Sequence, residues 1–146
     1  LAGLGFQALA TSSGASAGIL GRRDGQVTRD EALTQARGMV LATDLPISAD
    51  LEKGFGDPPE IVAETIRLAA ATGLVGCSIE DATRDPAKPL YDLAYATERV
   101  AAAVQAARSL PFSFTLTARA ENFLRGNPDL APQTSDVDAY IERAGS

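Results

Sequence analysis

Apolar runs typical of strands alternate with helical patterns along this chain, and this alternation restricts the fold more than any other feature. The strand-like runs lie at residues 7–11, 46–50, 74–79 and 112–118. Between them, apolar residues recur at helical spacing in residues 28–43, 58–73 and 93–110. Strands that alternate with helices pair in parallel through right-handed crossovers. The sequence therefore predicts an α/β fold built on a parallel sheet.

Local signals predict where several helices begin and where loops lie. Thr28 is followed three residues later by Glu31, the pattern of a capping box. Asp57 is expected to cap the next helix, with Pro58 at its first position. A last helix is expected after Ser135. The glycine-rich stretch at residues 12–21 and the stretch at 82–92, rich in Pro, Asp and Lys, are expected to be loops.

The polar residues at the strand ends favour one kind of α/β fold. These ends lie near Thr11, Asp50, Glu80 and Arg119. A (β/α)8 barrel carries its reacting groups there, whereas a doubly wound sheet is usually marked by a glycine-rich phosphate turn, and the sequence contains neither GxGxxG nor a P-loop. A barrel takes about 250 residues. We therefore expect residues 1–146 to form one incomplete (β/α)8 barrel domain of about four βα units, whose open sheet edges favour further strands or a partner.

Composition excludes several classes of protein. The net charge of −6, with 13 Lys and Arg against 19 Asp and Glu, argues against a nucleic-acid partner. A single cysteine, Cys77, excludes an intrachain disulfide and a structural zinc site, and favours a reducing cytoplasm. No run reaches the roughly 18 to 20 apolar residues of a membrane span, so no membrane partner is expected. Cys77 lies mid-strand and is expected to be a core residue.

Three acidic residues follow two of the strand-like runs. Asp50, Glu52 and Glu80 converge at one rim if their strands are neighbours. Carboxylate oxygens are the ligands that Mg²⁺ or Mn²⁺ prefers, and Mg²⁺ retains several waters. We expect one direct carboxylate, with the others acting through water. The alternative is that each acid only interacts favourably with a helix macrodipole. Asp81 and Glu121 are expected to be loop or cap residues.

The end of the last strand-like run carries Arg119, whose planar guanidinium is the usual group for binding a carboxylate or phosphate. The alternative is a buried ion pair with Glu80 or Glu121. Two serines and a glycine after the first strand, residues 12–14, offer hydroxyls and backbone N–H groups to an anion. These residues predict an anion site beside the acids.

Four motifs, in this order and at these intervals, resemble those of the isocitrate lyase and phosphoenolpyruvate mutase superfamily. They are ATSSG at 10–14, ADLEKGFGD at 49–57, GCSIED at 76–81 and TARAENF at 117–123. The resemblance implies a (β/α)8 barrel whose last helix is exchanged with a neighbouring subunit, and hence a homo-oligomer, a dimer or tetramer. It also implies Mg²⁺ and a small α-keto or α-hydroxy carboxylate at the strand ends.

The resemblance further implies roles for individual residues. Asp50 would be a metal ligand, and Glu52 and Glu80 would hold metal-bound water. Arg119 would be the catalytic clamp on the anionic end of the substrate, and Asp24, in the segment GRRDG, would lie close to the substrate. The substrate carboxylate would be held by Ser12, Ser13 and Gly14.

The chemistry implied by the resemblance is Mg²⁺-dependent cleavage of a C–C bond of a small hydroxy- or keto-dicarboxylate, through an enolate-like pyruvate species. Lyases of the superfamily carry a Lys, Cys, Gly, His run in a mobile loop, and mutases carry a Lys and an Asn there. The corresponding stretch here, EDATRDPAKPLYD at 80–92, offers Arg84 and Lys88. Two alternatives therefore stay open: an enzyme that acts on the P–C bond of a phosphonate, and a non-catalytic part of a barrel.

Overall fold

The structure, a computed structural model, describes residues 1–122, 124 and 125. Its helices are a 3-10 turn at Ala2–Leu4 followed by α1 (Ser13–Ile19), α2 (Arg29–Leu41), α3 (Pro59–Ala71) and α4 (Leu93–Arg108). Its strands are β1 (Leu9–Ala10), β2 (Ile47–Asp50), β3 (Gly76–Glu80), β4 (Ala82–Asp85), β5 (Lys88–Leu90) and β6 (Thr115–Arg119). The helix predicted after Ser135 lies outside the described residues.

The predicted parallel sheet is confirmed. Its four strands stand in the order β1-β2-β3-β6, and each adjacent pair is parallel. Asp50 pairs with Ser78 across β2 and β3, and Glu80 pairs with Arg119 across β3 and β6. Since parallel strands all end at the same edge of a sheet, the polar residues at the strand ends meet there.

The alternation of side chains along β2 separates the core from the face that bears the acids. Ile47 and Ala49 are buried and belong to the hydrophobic core shared with the helices. Ser48 and Asp50 point to the opposite face and are half-buried. The period of two therefore directs Asp50 away from the apolar core. Among the described residues, no helix combines the length and apolar character needed to cross a bilayer.

The predicted capping box at the start of α2 is present. Thr28 Oγ1 accepts from the Glu31 backbone N–H at 3.3 Å, and Glu31 Oε2 accepts from the Thr28 backbone N–H at 2.9 Å. Hydrogen bonds from Arg22 and then from Thr28 lower the pKa of Glu31 to about 2. The local sequence alone specifies this helix start, because all the groups of the box lie within four residues.

The expectation that Asp57 caps the next helix is wrong. The helix α3 begins at Pro59, with Pro58 as the N-cap residue and no side-chain capping bond. A cap at Asp57 would bind the N–H of the second or third helical residue, and the second, Pro59, has none. The Asp57 carboxylate instead accepts from Lys53 Nζ and from the Tyr91 hydroxyl, each at 2.5 Å. The hydrogen bond from Lys53, followed by that from Tyr91, lowers the pKa of Asp57.

Two stretches expected to be loops contain regular structure. Most of residues 12–21 forms α1, whose N-cap is Ser12. The stretch after Glu80 forms an antiparallel hairpin of β4 and β5 before α4 begins. Both are short elements whose stability comes from the surrounding tertiary structure, so their sequences carry little periodic signal.

We predict opposite effects from adding a methyl group at two glycines. A Cβ at Gly76, in the middle of the sheet, would lie 2.7 Å from the Thr115 carbonyl oxygen, so Gly76→Ala should destabilise the protein by about 1–3 kcal/mol. A Cβ at the exposed Gly38 of α2 would meet nothing within 4 Å, so Gly38→Ala should stabilise by about 0.5–1 kcal/mol. Urea denaturation measures both, and a loss of stability in Gly38→Ala would contradict the prediction.

We also predict that the Cys77 thiol is inert in the folded protein. Its side chain is 1% exposed, and burial raises its pKa to about 12. Because the thiolate is the reactive form, native protein at pH 8 should react with an aromatic disulfide reagent at least about 10³-fold more slowly than unfolded protein. Absorbance of the released thiol gives both rates. Comparable rates would show that Cys77 is accessible.

Candidate active site

The carboxyl ends of β2, β3 and β6 bring two acids and a guanidinium together. Arg119 Nη1 lies 3.6 Å from Asp50 Oδ2, and Arg119 Nη2 lies 3.7 Å from Glu80 Oε2. One side chain thus contacts acids from two neighbouring strands. Asp50 and Glu80 therefore lie on the same side of the sheet edge, as the strand order requires.

Arg119 also makes a closer ion pair, which the sequence left as an alternative. Its Nη2 lies 2.5 Å from Glu121 Oε1. The side chain of Glu121 is 5% exposed, while that of Arg119 is 38% exposed. The Glu121 backbone N–H donates to Asp81 Oδ1 at 2.8 Å. The ion pair thus orients Arg119 from one side and leaves its guanidinium accessible to a ligand from the other.

Glu52 is the most enclosed of the three candidate metal-binding acids. Glu52 is 5% exposed and has a φ of +53°. Its carboxylate Oε2 lies 2.6 Å from Arg84 Nη2. Its backbone N–H donates to Asp50 Oδ1 at 3.1 Å, and its carbonyl accepts from the Glu80 N–H at 2.9 Å. Burial raises the pKa of Glu52; Arg84 opposes this rise, and the charges of Asp24 and Asp50 add to it. The backbone therefore links all three acids.

Glu80 is the acid whose charge is least favoured. Burial, and then the negative charge of Glu121, raise its pKa to about 7; Arg119 opposes this rise and Asp50 adds to it. A carboxyl group with this pKa is partly protonated at neutral pH. A nearby cation would favour its ionised form.

The donor chemistry of this site fits Mg²⁺ or Mn²⁺. The acids supply hard oxygen ligands, and two of them, Glu52 and Glu80, have pKa values raised by burial among other carboxylates. Within the part of the chain that the structure describes, no group of three or more Asp, Glu, His or Cys side chains is arranged to hold an ion directly. The arrangement expected from the sequence, one direct carboxylate with others acting through water, does not require such a group.

The segment after β1 lies beside Asp50. The Ser13 backbone N–H donates to Asp50 Oδ2 at 3.3 Å, and Ser12 Oγ accepts from the Ala15 N–H at 3.4 Å as the N-cap of α1. A Cβ added to Gly14 would lie 3.9 Å from the carboxyl carbon of Asp24. The structure therefore places all four candidate substrate-binding residues of this region at the same rim as the acids.

The hairpin of β4 and β5 contributes Arg84, to which the sequence analysis gave no role. Its φ is +72°, and its Nη1 lies 1.1 Å from the position that a Cβ at Gly25 would occupy. The hairpin is also bound at Thr83, whose carbonyl accepts from Lys53 Nζ at 3.1 Å. A side chain at position 25 would therefore displace this guanidinium from its observed position. The sequence signals for this contact are a basic residue after SIED and a glycine after Asp24. No local pattern links positions 25, 52 and 84, which lie far apart in the sequence.

Comparison with known proteins supplies the family. The model of the family described as phosphoenolpyruvate phosphomutase matches residues 1–146. The 2-methylisocitrate lyase of Escherichia coli K12 is 32% identical over 96% of this chain and 46% of its own length. Two solved Burkholderia cenocepacia structures are also similar. A putative lyase/mutase is 52% identical, with a TM-score of 0.92 over 96% of this chain and 50% of its own. A putative phosphonomutase is 34% identical, with a TM-score of 0.87 over 97% and 58%.

The chain thus spans about half the length of the curated relatives that it matches. The solved structures that are similar to this chain belong to the barrel superfamily that its motifs resemble. The four-stranded parallel sheet is therefore part of a (β/α)8 barrel. The sequence motifs, the strand order and the match of the family model to residues 1–146 all indicate the same family. This chain belongs to the phosphoenolpyruvate phosphomutase family.

Proposed function

We propose that this chain carries the acid and anion-binding part of an Mg²⁺-dependent lyase that cleaves a C–C bond of a small hydroxy- or keto-dicarboxylate through an enolate-like pyruvate species. The superfamily consists of Mg²⁺-dependent lyases and mutases that act on C–C or P–C bonds. One observation carries the proposal: Asp50 and Glu80, from neighbouring strands, lie 3.6 and 3.7 Å from the same guanidinium. A cation among these acids would relieve the repulsion that Arg119 only partly offsets.

In this proposal, Asp50 holds the metal directly, and Glu52 and Glu80 hold it through water. When bound, Mg²⁺ would act as a Lewis acid toward the carboxylate and keto oxygens of the substrate. Asp50 is suited to direct contact because it is half-buried at a strand end and two backbone N–H groups, those of Ser13 and Glu52, orient its carboxylate. Glu52 and Glu80 are fixed relative to each other by a backbone hydrogen bond.

Arg119 is the proposed catalytic residue. Its exposed guanidinium would bind the anionic end of the substrate and keep a fixed positive charge where negative charge develops. Its ion pair with the buried Glu121 holds it in place without a change of conformation. Residues 12–14 would bind the substrate carboxylate, and Asp24 would lie close to the substrate. The expected homo-oligomer and cytoplasmic location stay predictions.

A phosphonate P–C bond enzyme is the second candidate. The hairpin that follows Glu80 contains no cysteine or histidine, which the lyases of the superfamily carry in the corresponding loop. A similar structure from B. cenocepacia is described as a putative phosphonomutase. The relatives therefore support both bond types. A barrel part without activity is the third possibility.

We predict that the complete protein releases pyruvate or a related keto acid from a branched hydroxy- or keto-dicarboxylate only with Mg²⁺. Asp50→Ala should lower kcat/KM at least about 100-fold, because it removes the direct metal ligand. Asp44→Ala, at an exposed aspartate before β2, is the matched control and should leave activity unchanged. Coupled detection of the keto acid measures both variants.

Three outcomes separate the candidates. Turnover that persists in the presence of a chelator would exclude the proposed lyase. Phosphorus NMR showing conversion of phosphonopyruvate, with no keto acid released from dicarboxylates, would establish the P–C enzyme instead. Calorimetry that detects binding of neither Mg²⁺ nor oxalate, a mimic of the enolate, would support the inactive barrel part.

We also predict a pH dependence that reports on Glu80. Its folded-state pKa is raised from 4.5 to about 7, so its contribution to stability is fully present below pH 4.5 and is lost as the pH rises through 7. Metal-free protein should therefore lose more stability between pH 5 and pH 7.5 than Glu80→Gln does. Urea denaturation with a chelator measures the difference. Equal losses in the two proteins would show that Glu80 does not titrate in this range.

A further inference from the structure

A buried arginine outside the acid cluster holds the turn that follows β2. Arg99, on α4, is 1% exposed. Its Nη1 donates to the Gly56 carbonyl at 2.8 Å and to the Asp57 carbonyl, and its Nη2 donates to the Lys53 carbonyl. One guanidinium thus satisfies three carbonyls of the segment 53–57.

This turn has a backbone that requires such support. Glu52 and Phe55 have φ values of +53° and +62°, in the left-handed region that is unfavourable for an L-residue. Gly54, with φ of +84°, lies between them, and its carbonyl accepts from the buried hydroxyl of Thr65 at 2.8 Å. A strained backbone persists where surrounding contacts fix it. Arg99 and Thr65 supply these contacts for four of the five carbonyls in the segment.

The position of Glu52 depends on this turn. Glu52 is the first residue of the strained backbone, and its carbonyl accepts from the Glu80 N–H. A relaxed turn would change the backbone dihedrals of Glu52 and would move its carboxylate relative to those of Asp50 and Glu80. The geometry of the acid cluster is thus coupled to the carbonyls that Arg99 binds.

Arg99 also connects the turn to the hairpin. Its guanidinium carbon lies 4.2 Å from the centre of the Tyr91 ring, in a cation–π contact, and the Tyr91 hydroxyl donates to Asp57 Oδ1 at 2.5 Å. The ring and the carbonyls therefore hold the guanidinium from different sides. A lysine ammonium has no planar fork to reach three carbonyls and stack on a ring at once.

We propose that Arg99 is a positioning residue that fixes Glu52 in the acid cluster through the turn at 53–57. The part of this inference that concerns Glu52 and the metal rests on the proposed function. Arg99 acts from the helix side of the sheet, by holding backbone carbonyls. Its loss therefore loosens the turn locally, and the site loses affinity for a divalent cation as a consequence.

The test compares Arg99→Lys with Arg67→Lys in the complete protein. Arg67 lies on the exposed side of the adjacent helix α3 and is the matched control. Hydrogen exchange followed by mass spectrometry should show that amides of 52–57 exchange at least tenfold faster in Arg99→Lys, while those of residues 76–79 in β3 are unchanged. Electron paramagnetic resonance should show at least tenfold weaker Mn²⁺ binding. Arg67→Lys should change neither.

The role of Arg99 and the proposed function would be overturned by different results. Unchanged exchange of 52–57 in Arg99→Lys would overturn the role of Arg99, whereas a parent protein that binds no Mn²⁺ would overturn the proposed function. If Arg99→Lys does not fold, Tyr91→Leu removes the ring beneath the guanidinium and the hydroxyl that binds Asp57. It should accelerate exchange of 52–57 about threefold or more, and unchanged exchange there would also overturn the proposal.

Discussion

The candidate site depends on one constraint: parallel strands place acids from separate parts of the chain at a single edge, where their charges must be compensated. Asp50 and Glu80 are 30 positions apart in the sequence, yet both approach Arg119. One partly exposed guanidinium, already paired with Glu121, does not neutralise them, and burial, followed by the charge of Glu121, raises the pKa of Glu80 to about 7. The register of the sheet therefore brings negative charges close together, and a divalent cation would compensate them.

Three arginines act on this region in different ways because their surroundings differ. Arg119 is partly exposed among carboxylates, and we propose that it binds the anionic end of the substrate. The Arg84 side chain extends from the hairpin to Glu52 and lies beside Gly25, which has no side chain. Arg99 is buried among carbonyls and an aromatic ring. The same side chain thus pairs with several acids, links two loops or supports a backbone turn, according to which acceptors the fold presents to it.

The family of this chain is shown, whereas its reaction is a proposal, and the difference has a physical reason. The family model matches residues 1–146, which include all the strand ends that carry the motifs, so the family is shown. In the proposed function, the choice between a C–C and a P–C bond depends on groups in the segment after β3. In this chain that segment is a hairpin with its own contacts to Glu52, Lys53 and Asp57. The relatives are about twice as long as this chain.

The sequence by itself determined the alternating βα pattern, the capping box at Thr28 and the burial of Cys77, because each depends on neighbouring residues or on a simple period. It also identified Asp50, Glu80 and Arg119 as strand-end residues, since apolar runs end there. Only the tertiary structure decided that Asp57 binds Lys53 and Tyr91 rather than a helix N-terminus, and that residues 82–90 form a hairpin. It also decided that Arg84 pairs with Glu52 and that Arg99 binds the carbonyls of the turn at 53–57. The contacts of Asp57 with Tyr91, of Glu52 with Arg84 and of Gly56 with Arg99 each join residues more than 30 positions apart. A local pattern carries no information about such distant partners, whereas the packed fold brings them within hydrogen-bond distance.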